Sequence, residues 1–496
     1  MASTENPFKM TANNTNTPVK KPINRSVSFT NDQAIAVQGL TDFINNDFNE
    51  SKFIYGLVGP GGVGKTFVIK YIVRNCKYAT SVIRFTAPTH KACRVFSQAL
   101  DNIETFTIQS TFGFRINMNL ADFDYKNPQF DPMASPKLDN VELLVIDESS
   151  MLPAGLVQYI NDVCRKRYIK LIYVGDSSQL PPVNERKSTA FDTCVKLFYL
   201  NEIVRQGASN PILNILDMLR QDIQKKTTKT INYFAKHVGE MNYNECGEGY
   251  SIIGRTDFIQ NIATKFQDEE YTTNIDKYKI IAYTNLAVTQ WNNFVRKLII
   301  DQADRGIITK NDLVMSYKTI VDEFNSVIIN NSEEYIINDI VNYTDAKYNL
   351  KGYLIKFQLV NGGQITKPLF VIDHTDRFTI LKYVQTLDDL VKEAKCATGA
   401  VRSKRWKEYF DFKDKYLIAN NITRNGQIIY QRDLDYGFSI TSHKSQGSTY
   451  ENVFVDVNDI VFDKNGNVYP NIDDMLRRLY VACSRTKNDL IICYGR

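Results

Sequence analysis

Residues 59–66 read GPGGVGKT, and nothing else in the chain constrains its fold as tightly. The octapeptide follows the apolar run KFIYGLVG and precedes the helical pattern KTFVIKYIVRNC, so it joins a strand to a helix. Gly59, Pro60, Gly61, Gly62, Val63 and Gly64 then form a loop whose backbone N–H groups face outward, and the helix N-terminus adds its positive end. A loop of this kind cradles the phosphates of a nucleoside triphosphate. Lys65 is expected against the β- and γ-phosphates, and the Thr66 hydroxyl is expected on a magnesium ion.

The loop opens a longer alternation. SVIRFTAP, VELLVIDES and IKLIYVGD read as strands, and HKACRVFSQAL and PAGLVQYINDVC between them read as helices. Such alternation builds a parallel sheet covered on both faces. A second series follows, with LFYLNEIVR and KIIAYTN as strands and NPILNILDMLRQDI and LAVTQWNNFVRKLII as helices. It breaks off near 300 and resumes with FSITS, ENVFVDV, a helix containing DMLRRLYVACSR, and DLIICYG. The expected organisation is an N-terminal tail over 1–25 and a first α/β unit over 26–196 with a small insertion at about 114–138. The second unit is expected from 197–300 and 435–496, and a β-rich insertion with a helical arm over 301–434.

At 496 residues the chain exceeds one ordinary core, which agrees with several folded units. No apolar run is long enough to span a bilayer, and no secretory signal heads the chain, so a membrane role is not expected. A net charge of +5 does not identify a nucleic-acid partner, so any such site must be local. The eight cysteines include no CxxC pair, which argues against a zinc site or a disulfide framework and for a reducing, cytoplasmic setting.

Asp147 and Glu148 end the strand LLVID, at the carboxyl edge of the first sheet and beside the phosphate loop. Asp147 suits a magnesium-binding role, and Glu148 suits orientation and deprotonation of an attacking water. Gln179, in GDSSQLPPV, emerges at the same edge, where a hydrogen bond to the γ-phosphate is expected. Arg205 and Arg485, both in the second unit, are candidates for supplying cations across a cleft.

The ordered set GPGGVGKT, APTHKA, TIQSTFGF, DESSM, GDSSQLPPV, LNEIVRQ, AYTN, TSHKSQGST and LYVACSRT resembles that of superfamily 1 helicases, nearest to the Dda and RecD type. The resemblance extends over residues 28–496 and implies two RecA-like domains, the second carrying an SH3-like insertion. It implies ATP with Mg2+, 5′ to 3′ movement on single-stranded DNA, unwinding at single-strand/duplex junctions, and a role in phage DNA replication or recombination. It adds Gln33 and Gly447 to the nucleotide set, Gln33 as an adenine reader. It places Pro88, Thr89, His90, Thr107, Asn285, Thr441 and His443 on the DNA track. Gln109 stands where relatives carry His, and Val204 where many carry a base-stacking aromatic. Phe130 in NPQFDP matches the tip of a strand-separating hairpin, with Phe123 and Tyr125 as competitors.

A monomer is expected, with a single-strand-binding protein or replication and recombination proteins as possible partners. Two other readings share the motifs. One is a translocase that displaces proteins from single strands without useful unwinding; the other is a single-strand-binding protein that ATP merely switches. Glu148 and two candidate arginine fingers speak against the second.

Overall fold

The computed structural model describes residues 28–114, 135–182, 185, 187–202, 210–300, 307–322, 327–360 and 363–495. The expected tail, the pin candidates Phe123, Tyr125 and Phe130, and Val204 and Arg205 lie outside the described residues.

Two six-stranded sheets organise the chain, and each is α/β in the expected sense. The first runs, edge to edge, Thr105–Thr107, Ile83–Ala87, Leu143–Ile146, Lys170–Gly175, Ile54–Val58 and Lys196–Tyr199. All of its pairings are parallel. Because successive side chains in a strand point to opposite faces, Leu144 and Ile146 enter one apolar cluster while Leu143 and Val145 enter another. The helix Ala154–Lys166 closes the first face; Asn31–Asn45, Lys65–Asn75 and His90–Ala99 close the second. Both faces are therefore buried, as the near-continuous apolar strands require.

The second sheet is ordered Ser439–Thr441, Tyr278–Ala282, Tyr450–Asp456, Thr486–Cys493, Gly249–Ile253 and Met241–Tyr243. Only the last pairing is antiparallel. Its strands likewise divide between two apolar clusters, Val453 and Val455 on one face and Phe454 on the other. Two RecA-like units with insertions describe this architecture.

Between the two pieces of the second unit lies a third six-stranded sheet, built on the hairpin Glu334–Asp345 and Leu350–Leu359. The helices Arg377–Cys396 and Gly399–Lys415 form its arm.

Three features differ from the sequence reading. Lys196–Tyr199 pairs with Ile54–Val58, so the first unit extends beyond 196 instead of yielding this strand to the second. Leu434–Tyr436 pairs with Leu313–Ser316, so the insertion ends after 436 instead of at 434. In both cases periodicity marks a strand but says nothing of which sheet receives it. The strand Gly249–Ile253, inside the second sheet, went unread altogether. Among the described residues no helix is long and apolar enough to cross a membrane.

Candidate nucleotide and nucleic-acid sites

The phosphate loop sits where the sequence placed it, between Ile54–Val58 and the helix that starts at Lys65. Gly64 caps that helix at φ 85°, a left-handed conformation that costs glycine nothing and other residues about 1 kcal/mol. A Cβ there would also lie 2.7 Å from the Gln33 amide nitrogen. Lys65 Nζ donates to the carbonyls of Gly59 at 2.7 Å and Pro60 at 2.9 Å, which folds the ammonium over the loop.

Gln33 is buried and already engaged. Its Nε2 donates to Val63 O at 3.0 Å, and its Oε1 accepts from Thr30 N at 3.3 Å in a capping box. The side chain thus braces the phosphate loop from behind.

Asp147 and Glu148 follow Leu143–Ile146 directly. Burial raises the Asp147 carboxyl above the usual range, the neighbouring Glu148 charge raises it further, and Lys65 partly offsets both. Those three charges therefore belong to one site. Glu148 adopts φ 51° and ψ 38°, left-handed for a residue with a side chain. Backbone strain of this kind costs about 1–3 kcal/mol and is typical of functional positions.

The loop after Lys170–Gly175 reaches the second unit. Asp176 Oδ2 accepts from Tyr480 Oη at 2.7 Å, and Gln446 Nε2 donates to Leu180 O at 3.2 Å. Arg477 Nη1 donates to Ser177 O at 2.6 Å and Gln179 O at 3.1 Å. Tyr480 and Arg477 lie on the helix Ile472–Cys483, which the sequence reading valued only for Arg485 beyond its end. Gln179 is buried, and its Oε1 has no partner among the described residues.

Arg485 is buried in its own unit, where it donates to Val481 O, Ser448 O and Ser484 Oγ. Gly447, at φ 71°, packs against the first unit: a Cβ there would lie 3.3 Å from Ala92 Cβ and 3.9 Å from Thr89 Oγ1. Its neighbours thus come from the APTHKA turn.

Four of the residues expected on the DNA track, Thr89, His90, Thr107 and Asn285, stand at helix N-termini. Thr89 caps the helix His90–Ala99 by accepting from Ala92 N, and Thr107 caps Ile108–Phe112 by accepting from Ser110 N. Asn285 is the first residue of Asn285–Ile299, which Thr284 caps. The helices that begin at His90 and Asn285 present the positive end of the helix dipole, which suits an anion. A capping hydroxyl that accepts from the backbone keeps its own proton for donation.

Asn285, Thr441 and His443 line one cavity of about 370 Å³ together with Tyr283 and Thr284. Asp459 fixes that turn, accepting from Tyr283 N and Thr284 N at 2.7 Å each and from Thr284 Oγ1 at 2.6 Å. The Arg478 guanidinium lies 3.6 Å from the Tyr283 ring centroid and holds the ring from below. Sequence reasoning missed Tyr283, Asp459 and Arg478, because their roles depend on packing between distant segments. Burial lowers the pKa of His90 and of His443 and so disfavours the charged imidazolium. They suit hydrogen bonding, not charge pairing.

A phosphate loop at the edge of one parallel sheet, joined through its neighbouring loop to a second, defines a P-loop nucleotide-binding protein with two RecA-like units. Residues 33–238 match the family model described as AAA domain, which is less than half of the chain. An uncharacterized protein of Acanthamoeba polyphaga mimivirus is 25% identical over 93% of this chain and 99% of its own length. The ATP-dependent DNA helicase PIF1 of Saccharomyces cerevisiae is 28% identical over 33% of this chain and 20% of its own. Among solved structures, the Pif1 helicase from Candida albicans is 17% identical, with 94% of this chain and 95% of that one covered and a TM-score of 0.46.

Proposed function

We propose that this chain is an ATP-dependent DNA helicase of superfamily 1, of the Dda and RecD type, that moves 5′ to 3′ on single-stranded DNA and opens duplex ahead of it. The observation that carries the reading is the junction between the Asp176–Leu180 loop, at the phosphate edge of the first unit, and Tyr480, Arg477 and Gln446 of the second. A change at the triphosphate reaches the second unit through that junction, and the turn bearing Gln446 also bears Thr441 and His443. Alternating grip by the two strand-holding surfaces then yields directed stepping.

In this reading Lys65 neutralises the β- and γ-phosphates, Glu148 orients and deprotonates the attacking water, and Gln179 senses the γ-phosphate. Arg485, and Arg205 outside the described residues, stabilise charge on the transferred group after closure. Gln33 supports the adenine end, and Gly447 lets the second unit approach. Thr66 and Asp147 supply hard oxygen donors suited to magnesium, and the Asp147 carboxyl, desolvated beside Glu148, is short of positive charge. The ion would hold the phosphates and spread their charge. Phe130 serves as the separating wedge at the junction.

The deciding experiment compares ATP-driven unwinding of duplexes bearing a 5′ or a 3′ single-stranded tail, with Lys65→Ala as control. Unwinding of the 5′-tailed substrate alone is expected. Strand-dependent ATP hydrolysis with no unwinding of either substrate would leave the translocase reading in its place.

A further inference from the structure

One short turn of the inserted domain touches both strand-holding surfaces. Residues 330–334 connect Val327–Ile329 to Glu334–Asp345. Glu333 Oε2 accepts from Arg94 Nη1 at 2.9 Å, and Glu334 Oε2 accepts from Lys91 Nζ at 3.4 Å. Both cations lie on the helix His90–Ala99 of the first unit. On the other side, Glu334 Oε1 accepts from Lys279 Nζ at 2.6 Å, while Asn331 Oδ1 and Ser332 Oγ accept from Lys444 Nζ at 3.3 and 3.2 Å. Lys279 and Lys444 belong to the second unit. Lys91 directly follows His90, and Lys444 directly follows His443.

The turn therefore holds the residue adjoining each DNA-track histidine. Its contacts with the second unit join parts of one chain segment, since the insertion departs from that unit and returns to it. Its contacts with the first unit, Arg94 to Glu333 and Lys91 to Glu334, must break or shift whenever the two RecA-like units move apart. Glu334 is 4% exposed and Lys279 is fully buried, so loss of Lys91 leaves a buried cluster with altered charge balance. Burial by itself would raise the Glu334 carboxyl; the two ammonium groups instead hold it down at about 2. Taking one partner away from a buried ion pair is strongly destabilising, so separation of Lys91 from Glu334 is opposed.

Resting on the helicase reading for the identity of the strand, we infer that turn 330–334 is a positioning element, a latch that sets the distance between the two strand-holding surfaces and ties their affinity to the nucleotide state. Glu333 and Arg94 are the testable pair, because Arg94 is one-third exposed.

The test measures affinity for a fluorescent oligothymidylate without nucleotide and with β,γ-imido ATP. Wild type is expected to change affinity by about fivefold or more between the two states. Arg94→Glu and Glu333→Arg should each reduce the ratio to under about twofold, and the combined exchange should restore it. If Glu333→Arg does not fold, Arg94→Ala against Arg94→Lys serves instead, with the ratio lost in the first and kept in the second. Single variants that keep the wild-type ratio, an exchange that fails to restore it, or a wild type whose affinity ignores the nucleotide would each overturn the latch. A wild type with the nucleotide dependence but no unwinding would sink the helicase reading and leave the latch standing.

Discussion

Tyr480 of the second RecA-like unit donates its hydroxyl proton to the buried carboxylate of Asp176 in the first, across 2.7 Å. Within its own loop, Ser178 N donates to the other carboxylate oxygen at 2.9 Å. Removing a hydrogen bond to a charged group costs about 1.5–3 kcal/mol. Tyr480→Phe is thus expected to lower DNA-stimulated ATP turnover by roughly tenfold or more while ATP affinity in the absence of DNA changes little. Steady-state hydrolysis with and without single strands checks it; equal loss in both conditions would point to damage at the phosphate loop instead.

Lys65→Ala removes the only side-chain cation described on the loop carbonyls of Gly59 and Pro60. Loss of one electrostatic stabiliser in such a site costs about 100-fold or more in turnover. Phosphate release near the wild-type rate would show that the triphosphate binds elsewhere.

Glu148→Gln keeps the shape of the side chain and removes its capacity to take a proton. Hydrolysis should fall by about 100- to 10,000-fold while ATP binding survives. Equilibrium binding of a fluorescent ATP analogue, run beside single-turnover hydrolysis, separates the two effects.

Phe130→Ala should leave strand-stimulated ATP hydrolysis within about twofold of wild type and sharply reduce base pairs opened per ATP, as loss of one aromatic stacking platform would. Unchanged opening per ATP would exclude Phe130 as the wedge and direct attention to Phe123 and Tyr125.

Glu334 gives a pH-dependent signature. Its folded-state carboxyl is held at about 2 against a usual 4.5, so its contribution to stability is fully present above 4.5 and is lost as pH falls toward 2. Glu334→Gln should remove that part of the acid limb and destabilise the neutral protein by about 3–5 kcal/mol, because two ammonium groups lose their buried partner. Denaturant melts at pH 7 and pH 3 measure both; parallel acid limbs for variant and wild type would contradict the assignment.

The candidate nucleotide site was legible in the sequence because the chemistry expected of it depends on residue identity at fixed local spacing. GPGGVGKT and the Asp147–Glu148 pair need only a strand before them, and apolar periodicity supplies that. Thr89 and Asn285 were readable as residues, but their position at helix N-termini emerges only in the structure. The Gly249–Ile253 strand escaped although GYSII is an apolar run bounded by glycine, because five residues of that kind carry no periodicity that separates strand from helix. Sheet membership of Lys196–Tyr199 and Leu434–Tyr436 was unreadable for another reason: hydrogen-bond partners lie far away in the chain. The same holds for Lys91 and Glu334, which are 243 positions apart.

The division of the second RecA-like unit into two chain segments also governs how the protein is made. Asn452 Nδ2 donates to Lys277 O across 175 positions, and the neighbouring strands Tyr278–Ala282 and Tyr450–Asp456 cannot pair until the ribosome has passed the entire insertion. During synthesis at about 5–20 residues per second, the first unit has its strands early, whereas the apolar strand Tyr278–Ala282 waits on the order of ten seconds for its neighbours. That interval is when the nascent chain exposes a sticky sheet edge, so chaperone dependence and co-translational aggregation should concentrate in this half of the molecule.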